Sequence, residues 1–292
     1  MSADPKPINR RAGHRPPWLK IRVPGDLDQL PVSKLMNDLA LNTVCQEARC
    51  PNIFECWNAG TATFMILGEI CTRRCTFCAV GKGKPLLADD DEPRRVAEAV
   101  EKMGVKHAVI TMVNRDDMLD GGAAHVAQTV HAVRARTGAA VEVLISDLEG
   151  NRDALRIVIA SQPEVLAHNV ETVPRLYPAV RPVAKYQQSL DVLRWAHEER
   201  GSYLTKSSIM LGLGETEDEI LATARDLRDA GVDIFTMGQY LAPTGNHHPV
   251  RRYYTPEEFA ELGRAAKALG FHHVESAPLV RSSYMAHRAV NR

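Results

Sequence analysis

The chain has 292 residues, 45% of them hydrophobic, which is enough to build a core without disulfide staples. Lys+Arg and Asp+Glu both number 36, and a formal net charge of zero excludes a general nucleic-acid binder, which shows a basic excess. No apolar run reaches the roughly 18 residues of a membrane span, and no apolar leader follows Met1, so the chain reads as soluble and cytoplasmic.

Charge is uneven at the start. Lys6, Arg10, Arg11, Arg15, Lys20 and Arg22 face only Asp4 in the first 24 residues, and Pro5, Pro7, Pro16 and Pro17 keep this arm extended. It reads as a solvated tail, with an acidic protein partner as the alternative. Leu30, Val32, Leu35 and Leu39 then recur at helical spacing, which predicts one short helix over 28–41. Cys45, Cys50 and Cys56 follow in C-Q-E-A-R-C-P-N-I-F-E-C, a segment with Pro51 and no periodicity, expected to be a loop wrapped around its ligands.

From residue 61 a strand–helix alternation sets in. The apolar run 63–67 predicts a first strand, and C-T-R-R-C-T-F-C, with Cys71, Cys75 and Cys78, comes directly after it. Glu92 and Pro93 open a helix that stops before Gly104, with the acid at the positive end of the dipole and the proline where its missing N–H costs nothing. Further units pair strands 107–111, 141–145, 165–169, 206–211 and 233–237 with helices 122–136, 152–160, 187–200, 215–230 and 256–269. Residues 272–275 are a candidate further strand. These six β-α units imply parallel strands with crossover helices. Six are fewer than the eight of a closed barrel, so the expected fold is α/β, an open, partial (β/α)6 TIM-like barrel. A doubly wound sheet is the alternative. The expected division is an arm and cysteine segment over 1–60, the barrel core over 61–270 and a C-terminal segment over 271–292.

In such folds function gathers at the carboxyl ends of the strands. The expected strands lead in order to the Cys71 triplet, Asn114-Arg-Asp-Asp117, Ser146-Asp147, His168-Asn-Val-Glu171, Gly212-Leu-Gly-Glu215 and Gly238-Gln-Tyr240. Any one of these polar groups could be a helix cap; their recurrence at every strand end favours a shared site. Gly212 and Gly214 suit close backbone approach to a ligand, or simply a turn. His247 and His248 read as loop residues.

All six cysteines fall in two triplets. Disulfides suit small secreted domains, and structural zinc wants four Cys/His ligands, yet no histidine is near either triplet in sequence. Buried unligated thiols do not come in two groups of three. Iron–sulfur ligation is the strongest reading, because three thiolates hold such a cluster while leaving a coordination position open for chemistry. A zinc-stabilised binding module is the alternative from a different class.

C-x3-C-x2-C after the first strand of a partial barrel resembles the radical S-adenosylmethionine enzymes. With the upstream C-x4-C-x5-C, H-N-V-E-T-V-P-R-L-Y (168–177), M-L-G-L-G-E-T (210–216), G-Q-Y-L-x-P-T (238–244) and R-S-S-Y (281–284), the chain is similar to the lipoyl synthase family from about Trp18 to Ala286. Another sulfur-inserting enzyme of the superfamily is the rival within that class. The resemblance implies that Cys71, Cys75 and Cys78 bind a [4Fe-4S] cluster chelated at its fourth iron by S-adenosylmethionine, the source of a 5′-deoxyadenosyl radical. It implies an auxiliary [4Fe-4S] cluster on Cys45, Cys50, Cys56 and Ser283, with Ser282 as the alternative ligand, consumed as sulfur donor. A serine oxygen is harder than thiolate and holds iron less well among sulfurs, which suits a cluster built to be dismantled. The implied substrate is an octanoyl-lysine of a lipoyl carrier protein (a lipoyl domain or glycine-cleavage H protein), thiolated at C6 and C8. Implied partners are an electron donor such as flavodoxin or ferredoxin and cluster-assembly proteins. Asn169, Glu171 and Lys206 are the candidate S-adenosylmethionine contacts from their strand-end positions.

Overall fold

The computed structural model describes residues 15–20, 31–47, 50, 52–53 and 63–283. The basic arm before residue 15 and Cys56, expected as a cluster ligand, therefore lie outside the described residues. Among the described residues a 3-10 turn (Pro17–Leu19) precedes α1 (Pro31–Asp38), β1 (Asn42–Thr43) and α2 (Val44–Glu47), followed by β2 (Thr63–Ile66), β3 (Ile70–Cys71) and β4 (Gly81–Lys82). Next come α3 (Glu92–Met103), β5 (His107–Met112), α4 (Ala123–Arg136), β6 (Ala140–Leu144), α5 (Arg152–Ala160) and β7 (Val165–Ala167). The remainder is α6 (Tyr177–Val180), α7 (Tyr186–Glu198), β8 (Leu204–Leu211), α8 (Glu217–Asp229), β9 (Ile234–Gln239), α9 (Pro256–Lys267) and β10 (His273–Ser276).

Local chemistry sets these boundaries. Gly104 ends α3 with φ +61°, a left-handed cap that a side chain would resist. Asn151 accepts from the backbone of Asp153 and Ala154 to start α5. Thr216 with Glu219, and Thr255 with Glu258, form reciprocal capping boxes at α8 and α9.

Eight strands form one sheet in the order β1-β2-β5-β6-β7-β8-β9-β10. β1 pairs antiparallel with β2, and every other neighbouring pair in that sheet is parallel. Strand order rises without reversal, as in a barrel; a doubly wound sheet would reverse at a switch point. Among the described residues neither edge strand pairs with the other, so the barrel is open there. β10 adds the short strand that the sequence left as a candidate. The helices cover the outside: Val96 and Val100 of α3 and Val126 and Val130 of α4 share one core with the first strands, while Ile220 and Leu227 of α8 and Phe259 of α9 share another with β8 and β9.

Side chains alternate in and out along each strand, so the barrel interior is layered. Thr63, at the start of β2, lines one cavity together with Met65, Thr111, Leu144, Ser208 and Gly238. One layer deeper, Lys206 Nζ meets Glu142 Oε1 at 2.8 Å with both side chains 2% exposed, and His107 Nε2 lies 3.5 Å from Glu142 Oε2.

Candidate active site

The first cysteine loop is built on a strained turn. Leu67 and Gly68 take φ of +69° and +87° after β2. Glu92 holds this turn from below, its Oε2 accepting from the Leu67 N–H and standing 2.8 Å from His125 Nε2. β3 then pairs with β4, so residues 71–82 form a loop with joined ends, and Cys71, Cys75 and Cys78 all belong to it. Other parts of the barrel grip that loop. Thr72 Oγ1 donates to Asn114 O at 3.0 Å and Thr76 Oγ1 to Ala179 O at 2.8 Å. His247, read from sequence as a loop residue, places Nε2 3.1 Å from the Cys78 carbonyl oxygen, with Thr244 Oγ1 2.8 Å from its Nδ1.

Arg73 is the strongest of these anchors. Its buried guanidinium forks onto Asp116 at 2.8 and 2.9 Å and donates from Nη1 to Asp147 Oδ2 at 2.7 Å. Burial alone would raise the Asp147 carboxyl, but the hydrogen bond from Arg73, with the charges of His168 and Arg73, brings it down to about 2.

Burial pushes the Cys78 thiol up to about 12 and raises Cys75 as well. Such thiols keep their protons until a metal takes the proton's place, so loading this loop releases protons. The second triplet starts in α2, where Cys45 is buried, and the Cys50 N–H donates to Cys45 O at 2.9 Å. Burial raises the Cys50 thiol too, against the nearby charge of Arg281.

The C-terminal segment completes the site. Gln239 N–H donates to Pro278 O at 3.2 Å, Asn52 Nδ2 to Leu279 O at 2.7 Å, and Thr63 Oγ1 to Ser283 Oγ at 2.9 Å. These bonds carry Ser282 and Ser283 to a cavity of about 340 Å³ onto which Cys45, Cys50, Cys71, Cys75 and Cys78 also open. Among the described residues Cys50, Cys71, Cys75 and Cys78 form no disulfide. Among the described residues no three His, Cys, Asp or Glu side chains converge on a single ion, and the thiolates of a four-iron cube, each bound to a different iron, have no need to. Two thiol sets facing one cavity fit two clusters.

Residues 65–227 match the Radical SAM superfamily. Lipoyl synthase of Rubrobacter xylanophilus is 60% identical over 94% of this chain and 85% of its own length. The chain belongs to the lipoyl synthase family. The Koribacter versatilis member is 53% identical over 97% of this chain and 93% of its own. Among solved structures, methylornithine synthase superposes with a TM-score of 0.51 at 14% identity, covering 87% of this chain and 85% of that one, a likeness of fold alone. Among the described residues no helix is long and apolar enough to cross a membrane.

Within this lipoyl synthase fold, two of the three residues expected to meet S-adenosylmethionine reach the cavity. Asn169 and Glu171 line it, and Asn169 Oδ1 is buried with no hydrogen-bond partner. Glu171 adopts φ +67° and sits between Ser208 O and Met210 N, so β8 holds its strained backbone in place. Lys206 is not brought to the cavity; it is spent on Glu142 in the layer below. Arg181, which sequence reasoning missed, is. Its Nη1 donates to Asn169 O, Val170 O and Tyr177 Oη at 3.0 to 3.2 Å, while its Nε is buried without a partner. Gly212 and Gly214 do not line the cavity. Their N–H groups, with that of Leu213, are taken by the Glu215 carboxylate, and a Cβ on Gly212 would meet Arg252 O at 2.4 Å.

His168 is buried between Ile145 O, 3.0 Å from Nδ1, and Ser189 Oγ, 3.0 Å from Nε2. A neutral ring donating from Nδ1 satisfies both. Burial and the Arg181 charge lower its pKa to about 4, against the opposing pull of Asp147. The unfolded ring takes its proton near ~6.5, so this group's contribution is complete above that pH and is lost as pH falls toward the folded value. Urea denaturation should show stability falling by up to about 3 kcal/mol from pH 7 to pH 4.5 through this group. His168→Gln should flatten that window, and an unchanged slope in the variant would rule the assignment out.

Proposed function

We propose that this chain is a lipoyl synthase that converts a carrier-bound octanoyl-lysine to the lipoyl group by inserting sulfur at C6 and C8. The supporting observation is the single cavity shared by both cysteine sets and the C-terminal serines. Cys71, Cys75 and Cys78 would hold the first [4Fe-4S] cluster; Cys45, Cys50, Cys56 and Ser283 would hold the second. When bound, the first cluster with S-adenosylmethionine supplies a hydrogen-abstracting radical, and the second supplies sulfur.

The protein's own part is binding, orientation and exclusion. Asn169 and Arg181 present buried polar atoms without hydrogen-bond partners, and Glu171 lines the cavity beside them with its carboxylate, a set suited to the hydroxyl, amino and carboxylate groups of S-adenosylmethionine. Lys206 would act below them as a structural partner of Glu142. Met65, Phe77, Val80, Met112 and Met210 give the cavity an apolar wall that accepts an alkyl chain and keeps water from the reacting carbons. An octanoyl chain held between the two cluster sites would meet hydrogen abstraction at one end of its path and sulfur at the other. A one-electron donor is needed for each abstraction, and an acylated carrier domain brings the chain to the mouth.

An anaerobic reaction with S-adenosylmethionine, dithionite and an octanoyl-lysine peptide tests this. Mass spectrometry should show about two sulfurs gained per peptide, alongside 5′-deoxyadenosine, from protein holding about eight irons. Nucleoside without any thiolated peptide would overturn the reading.

A further inference from the structure

Thr63 is the one hydrogen-bond partner of Ser283 among the described residues, and it comes from the opposite end of the fold, 220 positions away in sequence. Its backbone is locked into the sheet opposite Val109, and its side chain is 5% exposed on the inner face. As a β-branched residue in a strand it has little rotamer freedom. Ser283 belongs to a segment held mainly through its backbone carbonyl oxygens. A strand-fixed hydroxyl thus faces the expected ligand oxygen. A serine oxygen bound to iron has given up its proton and can only accept, so Thr63 must then be the donor.

We propose that Thr63 is a positioning residue for Ser283: its hydroxyl aims the serine oxygen at the second cluster and supports it as an anion, and so sets how readily that iron leaves. The inference rests on Ser283 being a ligand of the second cluster. Without the donor, the oxygen is left as a half-buried anionic acceptor against a methyl group, which disfavours its bound form. The bond therefore holds the iron long enough for assembly, without the permanence of a fourth thiolate.

The test uses the full-length chain with Cys71, Cys75 and Cys78 changed to alanine, so that only the second cluster assembles. Thr63→Val, Thr63→Ser and Ser283→Ala are each added, and two quantities are read: the rate at which a ferrous-iron chelator removes the first iron, and the electron paramagnetic resonance spectrum of the reduced cluster. Thr63→Val should release that iron about tenfold faster, within the range for orphaning an acceptor, and shift the spectrum. Thr63→Ser, which keeps the hydroxyl, should match the parent. If Thr63→Val behaves as the parent while Ser283→Ala does not, this inference falls and the ligand assignment stands. If Thr63→Ser releases iron as fast as Thr63→Val, packing rather than the hydroxyl is responsible and the inference also falls. If Ser283→Ala itself changes nothing, the ligand assignment beneath it fails.

Discussion

Gly238→Ala should cut the iron held by the reconstituted chain from about eight to about four atoms and abolish lipoyl formation. Gly238 is not in the left-handed region; what it provides is room. A Cβ there would lie 2.0 Å from the Val280 carbonyl oxygen and 2.9 Å from its carbon, both backbone atoms that cannot swing aside as a side-chain tip could. β9 is pinned by parallel pairing on both flanks, so the C-terminal segment is the part that must yield. Its displacement strains the bonds from Gln239 and Asn52 to the segment's carbonyl oxygens and draws Ser283 away from Thr63 and the second triplet. The loop over 71–82 is anchored elsewhere, to Asn114, Ala179 and the two aspartates, so 5′-deoxyadenosine should still form, now uncoupled from thiolation. Iron and sulfide counts with a nucleoside assay check this; a variant with full iron and normal lipoyl yield would refute it.

Arg73→Met should cost about 3–5 kcal/mol of stability, because it removes one member of a buried ion pair and leaves the other behind. Asp147 is 0% exposed, and no other cation donates to it among the described residues. Its carboxyl, held at about 2 beside Arg73, should rise toward the neutral form. In the parent, the stability gained from that depressed pKa is complete above the ordinary aspartate value of ~3.8 and is lost as pH falls toward 2; the variant should lack this acid dependence. Because Arg73 also ties the stretch between Cys71 and Cys75 to the ends of β5 and β6, the first cluster should fail to assemble. The double variant Arg73→Met/Asp147→Asn separates the two effects: it should recover most of the stability but none of the first cluster. Arg73→Lys should rescue poorly, since an ammonium cannot make the forked contact with Asp116 while reaching Asp147. Urea denaturation and iron analysis decide; a loss under about 1 kcal/mol with normal iron would refute the clamp.

Much of this molecule was legible in the order of its residues. Apolar periodicity located each parallel strand and crossover helix of the eight-stranded sheet to within about two residues, because burial on one face of a strand or helix imposes that pattern locally; the short β3–β4 pair within the cysteine loop carries no such pattern. The two cysteine spacings pointed to clusters, since ligands a few residues apart can share one metal centre whatever surrounds them. Monotonic strand order follows from repeated right-handed crossovers, which only a barrel-like sheet accommodates without reversal.

Contacts between distant segments decided the rest. Asn169 and Lys206 both lie on the inner face, but Asn169 follows the end of β7 whereas Lys206 stands near the start of β8. The pairing of Ala167 with Lys206 sets their heights, leaving Asn169 at the cavity and Lys206 beside Glu142 a layer down. Arg181 follows a short helix with no period to betray it, and the room Gly238 leaves for Val280 has meaning only once the C-terminal segment crosses β9. Thr63 was visible as the start of a strand, never as the partner of Ser283. Spacing along the chain reports which side a residue faces; depth in the barrel, and the identity of whatever stands opposite, belong to the register of strands far apart in sequence.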